Sequence, residues 1–268
     1  MVPDPGLALE VLALLTAVAF AAGFVDAIAG GGGLITVPAL LIAGVPPVQA
    51  IATNKLQGTF GVLSSTAAFL RAGAIERRLV LPLAGAAFAG GLLGAAVATL
   101  APVGLLRSII PFILIAIAIY MLLTPKFGDG DAKARLSPLA FAGSVGVTIG
   151  IYDGVFGPGA GTFYLIGLIL LCGFPLLKAT AHTKLMNAAS NLGALGFFLS
   201  AGHVLIVPGL AMGVAAAAGA YIGARTGLKH GARLIRPLVI LVSLAMALRL
   251  LLDPLHPFAG AVRGALGF

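Results

Sequence analysis

The chain has 268 residues, 60% of them hydrophobic and only 9% charged, with a mean hydropathy of +1.14. That balance excludes an ordinary soluble domain, whose single core cannot absorb so much apolar surface, and makes lipid the solvent for most of the chain. The formal charge of +8 would suit a nucleic-acid partner, but the basic residues lie in short connections instead of along one stripe, so they read as membrane-topology signals and nucleic acid is excluded.

The opening MVPDPG has no basic n-region and leads into an apolar run without a cleavage pattern, so the first helix is expected to stay. Apolar segments long enough to span a bilayer, roughly twenty residues each, run over 7–28, 47–70, 79–100, 105–124, 136–156, 176–200, 204–226 and 235–252. Two shorter pieces, 34–43 and 162–172, follow glycine-rich breaks. At about 1.5 Å per residue they cross only part of the hydrocarbon core, which predicts half-helices or re-entrant segments hairpinned with the helices after Pro46 and Pro175. The polar stretch PKFGDGDAKAR at 125–135 joins the two halves, and the single cysteine, Cys172, excludes an intrachain disulfide.

The halves repeat each other. GFVDAIAGGGG followed by ATNKL in the first returns as GIYDGVFGPGAG followed by AHTKL in the second. From the second motif onward the offset is a constant 129, pairing Pro46 with Pro175, Lys55 with Lys184, Gly90 with Gly219, Gly94 with Gly223, Arg107 with Arg236 and Pro125 with Pro254. If each repeat crosses an odd number of times, Arg71, Arg77, Arg78, Lys126, Lys133, Arg135, Arg225, Lys229, Arg233 and Arg236 share one side, leaving Arg107, Arg249 and Arg263 on the other. An even number of crossings nearly erases the asymmetry. The expected fold is therefore an all-α integral membrane protein of two inverted repeats, each with four spanning helices and a glycine-broken half-helix or re-entrant hairpin, and with both termini outside. Residues 1–124 form the first repeat, 125–135 a cytoplasmic linker and 136–268 the second repeat.

The breaks comprise Gly30, Gly31, Gly32 and Gly33 in the first half and Gly157, Pro158, Gly159, Ala160 and Gly161 in the second, with Thr162 following. A half-helix directs its free N–H groups and positive dipole end back at such a break, where an anion can sit. Lys55 and Lys184 lie nine residues past Pro46 and Pro175, about 13 Å along a helix and near the bilayer midplane. Three readings are open for them: a cation facing a polar cavity and drawing in an anion, a lysine snorkelling toward the interface, or a structural partner of an aspartate, such as Asp153 for Lys184. Thr53, Asn54, Gln57, His182, Thr183, Asn187 and Asn191 add donors around both lysines, a pattern suited to sulfonate, sulfite or carboxylate oxygens. Asp26 and Asp153 read as caps, ion partners or proton-coupling carboxylates, His182 as a titrating group or a fixed donor, and Tyr152 as a site hydroxyl or a member of the interface belt. No nucleophile has a base partner and no nucleotide-binding loop is present, so an enzyme is excluded and transport would be secondary, without cofactor or metal.

These paired strings resemble the TauE/SafE family of sulfite exporters, also described as the toluene-sulfonate-uptake permeases, from about residue 7 to 252. The resemblance implies an inner-membrane transporter of small sulfur-containing anions such as sulfite, sulfoacetate or related organosulfonates. The family's glycine motif falls on Gly30 to Gly33 and Gly157 to Gly161, and its polar motif on Thr53, Asn54, Lys55, His182, Thr183 and Lys184. Asn-Lys and Thr-Lys stand where many members carry Thr-Ser, which resembles an uncharacterised permease subgroup. The expected partners are the lipid bilayer and a small anion, and the sequence is also compatible with a homodimer.

Overall fold

The computed structural model describes residues 7–29, 31–123, 134–230 and five residues between 244 and 252. Its elements are all helices: α1 (Leu9–Ala29), α2 (Gly33–Ile42), α3 (Pro47–Arg71), α4 (Arg77–Leu100), α5 (Val103–Leu123), α6 (Pro138–Val155), α7 (Ala160–Leu170), α8 (Leu176–Ser200) and α9 (Ile206–His230). The interior of α6 carries one π turn, Ala142–Gly146. The repeat is visible in the helix bounds, because shifting both ends of α3 by 129 gives both ends of α8. Pro46 and Pro175 sit at the N-caps of these two helices, where a missing N–H costs nothing. Gly73 and Gly202, at φ 69° and 72°, close their C-termini in a left-handed turn that a Cβ would strain.

The two halves interlock. α1 packs on α9, and α6, its repeat-mate, packs on α4; α3 packs on α9, and α8 on α4. Small residues allow this approach: a Cβ on Gly90 would lie 2.5 Å from the Val147 carbonyl oxygen, and Gly94, Gly219 and Gly223 are equally tight against facing backbone. At the centre α3 meets α8. The connection after α3 reaches the N-terminal part of α8, where the Glu76 N–H donates to His182 Nε2 at 3.2 Å. In return, the connection after α8 reaches the N-terminal part of α3, where the Leu205 N–H donates to Thr53 Oγ1 at 3.1 Å. Each helix thus ends beside the other's beginning, so α3 and α8 run antiparallel.

Four helices are long and apolar enough to cross a membrane among the described residues: Leu9–Ile28, Arg77–Leu100, Pro138–Val155 and Ile206–Thr226. The sequence reading expected eight. α3 and α8 have the length, but their buried faces carry Thr53, Asn54, Lys55 and Gln57, and His182, Thr183, Lys184, Asn187, Ser190 and Asn191. The strongly apolar part of α5 is the shorter Val103–Ala116, and most of the expected segment 235–252 lies outside the described residues, as do residues 125–133 of the expected linker 125–135. The distribution inverts that of a soluble protein: polar side chains gather inside on α3 and α8, while Leu81, Leu100, Leu139 and Val214 stand exposed on the outer helices. α2 and α7 bear out the expected short pieces in length, at 10 and 11 residues.

Candidate functional site

Both broken helices lead to one place. In the first half α1 stops at Ala29, Gly31 takes φ 121°, and α2 begins at Gly33. In the second, α6 stops at Val155, Gly157 and Gly159 take φ 88° and 82°, and α7 begins at Ala160. Gly33 and Gly161, expected within non-helical breaks, are instead early residues of α2 and α7, since a half-helix can start as soon as its torsions permit. Gly30 lies outside the described residues.

Asp26 sits in the last turns of α1 and folds back over the first break, its Oδ1 accepting the N–H groups of Gly31 and Gly32 at 3.0 Å each. Only glycine fits beneath it, as a Cβ on Gly32 would lie 2.9 Å from the Asp26 Cβ. Asp153, the repeat-mate on α6, makes different contacts. Its Oδ1 accepts from Lys55 Nζ at 2.7 Å, and its Oδ2 accepts from Ser190 Oγ at 2.5 Å. Tyr152 donates its hydroxyl to the Pro158 carbonyl at 2.6 Å and so fastens the second break.

Both lysines are ion-paired across the halves. Lys55 of α3 meets Asp153 of α6, with side chains 0% and 2% exposed. Lys184 of α8 meets Asp26 of α1 at 3.1 Å, with 1% and 15% exposure, and also donates to the Asp26 backbone carbonyl. The pairing is crossed, so Lys184 does not bind Asp153 of its own half, because α1 and α6 each dock on the opposite repeat. Two cations and two carboxylates neutralise one another at the centre. That balance matters in low dielectric, where an unpaired buried charge is costly.

Between the breaks lies a cavity of about 40 Å³. One water needs roughly 10–15 Å³, so there is room for a few waters or a small oxyanion. Its walls include Asp26, Gly31, Gly32 and Gly33 from the first break, Asp153, Gly157, Gly159 and Gly161 from the second, and Asn54, Gln57, Asn187 and Asn191 from α3 and α8. The other candidates lie behind this wall. Lys55 and Lys184 are turned into their ion pairs, and Thr53 and His182 tie helix ends, His182 through Nε2 to Glu76 and through Nδ1 to the Lys178 carbonyl. Thr162 and Thr183 are buried hydroxyls without a protein hydrogen-bond partner. Sequence reasoning missed Ser190 and Thr36, whose hydroxyls bond Asp153 and the Asn54 Oδ1 (2.5 Å), and it missed the cavity glycines Gly58 and Gly61. Spacing held a clue to Ser190, three residues past Asn187 and on the same helical face.

At the rim, outside the spanning segments, Glu76 pairs with Lys178 and with Arg78 at 3.0 Å. Hydrogen bonds from Lys178 first, and from Arg78 next, hold its carboxyl below the usual glutamate range. Among the described residues no cluster of three metal-ligating side chains forms.

A discontinuous helix pair and a polar central cavity inside an apolar shell are features found in membrane transporters. The profile of the sulfite exporter TauE/SafE family matches residues 15–250, and the chain belongs to that family. It is 51% identical over 251 residues to "Probable membrane transporter protein ORF9" of Sinorhizobium sp., covering 94% of this chain and 96% of that one. It is 44% identical over 245 residues to "Probable membrane transporter protein YfcA" of Escherichia coli K12, covering 90% of each chain. A "Probable membrane transporter protein" of Haemophilus influenzae is 43% identical over 245 residues, covering 91% of this chain and 96% of that one. No solved structure matches the chain.

Proposed function

We propose that the protein is a secondary transporter of small sulfur-containing anions, such as sulfite, sulfoacetate or related organosulfonates, working by alternating access of two inverted halves in the bacterial cytoplasmic membrane. The observation that carries this reading is the small cavity enclosed by both glycine breaks and by four amide side chains, Asn54, Gln57, Asn187 and Asn191. Amides and backbone N–H groups recognise oxyanions without requiring a net charge on the protein. The cavity's volume favours a small anion, and its place between the repeats suits a site exposed first to one side and then to the other.

The antiparallel course of α3 and α8 supports inversion of the repeats. The Lys178–Glu76 pair brings the start of α8 to the basic connection after α3. The N–H groups of Arg135 and Leu136 bond the Leu171 carbonyl at 2.8 Å each, drawing the end of the linker to the same tip. A concentration of basic residues there favours a cytoplasmic face with both termini periplasmic. An inside-negative potential of 100 mV favours outward movement of a monovalent anion by about 2.3 kcal/mol, so export needs no coupled ion whereas import does.

Purified protein in proteoliposomes provides the test. Saturable sulfite efflux accelerated by sulfite on the opposite side is the expected result. Flux that never saturates and shows no exchange would instead make the protein an anion channel. A carboxylate is the second reading for the substrate, favoured by the fact that the first break already holds one, that of Asp26. Acetate outcompeting sulfite and methanesulfonate would select it.

A further inference from the structure

Although both breaks are rich in glycine, among the described residues only the first has its leading N–H groups taken by a carboxylate. At the first, the N–H groups of Gly31 and Gly32 are already bonded to the Asp26 carboxylate. Counting on by 127, the step from Asp26 to Asp153, places Pro158 and Gly159 at the corresponding points of the second break. Proline has no N–H to offer, so a carboxylate at Asp153 cannot be held there as Asp26 is. Asp153 is committed to Lys55 and Ser190 instead; at the start of α7 the Ala160 N–H donates to the Gly157 carbonyl at 3.3 Å, and among the described residues no side chain accepts from the N–H groups of Gly161 and Thr162 that follow.

Beside the same break lies a second, independent feature, the cavity-lining amides of Asn54 and Gln57. The position a Cβ would take on Gly157 lies 3.5 Å from both Asn54 Nδ2 and Lys55 Nζ. Thr36 occupies the Asn54 Oδ1, which turns the amide nitrogen toward the cavity; this assignment follows from the hydrogen bond. Asn54 is 6% and Gln57 4% exposed, both line the cavity, and among the described residues neither the Asn54 nitrogen nor the Gln57 amide has a protein partner. Amides that face a cavity in this way are free to donate to whatever occupies it.

We propose that the transported oxyanion seats its oxygens on the second break, between the N-terminal N–H groups of α7 and the Asn54 and Gln57 amides, while Asp26 permanently fills the first. Asp26 is then a tethered copy of the ligand, and the binding site is one-sided although the scaffold is duplicated. The ligand class is a small trigonal or tetrahedral oxyanion. This assignment rests on the anion-transport reading above.

The test gives the second break a tethered carboxylate of its own. Asn54→Asp is close to isosteric and puts an anion where the substrate oxygen belongs; Gln57→Glu does the same from one turn further along α3. Binding of sulfite, methanesulfonate and acetate to the purified full chain is measured by titration calorimetry, with thermal unfolding as the folding control. Each variant should weaken binding by roughly tenfold or more relative to the parent. The neutral double variant Asp26→Ala/Lys184→Met, which takes the acceptor away from the Gly31 and Gly32 N–H groups without leaving a charge, should bind no tighter than the parent. Parent-like affinity in whichever carboxylate variant folds, or tighter binding by the double variant, overturns the placement alone. Failure of the parent to bind any of the three anions overturns the transport reading and the placement with it.

Discussion

The two ion pairs at the centre are formally the same interaction and physically different ones. Lys55 and Asp153 are sealed, and Ser190 takes the second carboxylate oxygen, so each charge depends on the other. Lys184 and Asp26 are looser: Asp26 is 15% exposed and leans on two backbone N–H groups that would hold its charge without the lysine. Duplication supplied two copies of one scaffold, and single replacements then made one copy a clamp and the other a cap. Pro158 in place of a glycine and Ser190 in place of Gly61 account for much of that divergence.

The comparison breaks most visibly at the lysines. Lys55→Met strands a sealed aspartate, and removal of one partner from a buried pair costs about 3–5 kcal/mol. Thermal unfolding in detergent should show a large loss, largely restored in Lys55→Met/Asp153→Asn. Lys184→Met should cost clearly less, because Asp26 keeps its hydrogen bonds to Gly31 and Gly32. Equal losses at both lysines would show that the pairs are equivalent.

The connections at the two ends of the α3–α8 core sharpen the contrast at a lower energy. Thr53 and His182 are repeat-mates, and each accepts an N–H from the connection that follows the other's helix. Only His182 can titrate. Its Nδ1 lies 2.8 Å from the Lys178 carbonyl and so carries the proton, leaving Nε2 as the acceptor for Glu76. An imidazolium has no acceptor, so acidification removes this bond, worth about 1 kcal/mol, and leaves the Thr53 bond intact. The protection factor of the Glu76 amide against hydrogen exchange, taken relative to its intrinsic rate at each pH, should fall as the pH is lowered past the ordinary histidine value of about 6.5, while that of the Leu205 amide shows no comparable change. His182→Thr should abolish the difference.

Much of this architecture was legible from residues 23–56 and 150–185 alone, because a repeated glycine break and a repeated lysine leave few folds open to an apolar chain. The half-helices, the packing role of Gly90 and Gly219 and the central place of the lysines all follow from period and polarity. The partners of those lysines do not. Lys184 meets Asp26 because α1 crosses to the opposite repeat, and such an exchange between equivalent surfaces leaves no mark in a one-dimensional pattern. The count of spans misled for a related reason: the most buried helices, α3 and α8, are not the most apolar, since their surroundings are protein and a polar cavity instead of lipid.

The smallest effect expected is at Glu76, where the two ends of the core differ in charge as well as in titration. Glu76 bridges Lys178 and Arg78 on the His182 side, a partly exposed arrangement whose ion pairs contribute about 0–1 kcal/mol. Because those hydrogen bonds depress the carboxyl's pKa in the folded protein, its contribution is present above the unfolded value and fades as pH falls through the folded one. Glu76→Gln should therefore unfold slightly earlier than the parent at pH 7, with the gap closing below about pH 4, near and under the ordinary glutamate value. Salt should narrow the gap at pH 7, since exposed pairs are screened over about 8 Å at physiological ionic strength. A gap that instead widened in acid would mean that Glu76 supports the His182 imidazolium there, making the rim on that side an acid-stabilised contact with no counterpart at Thr53.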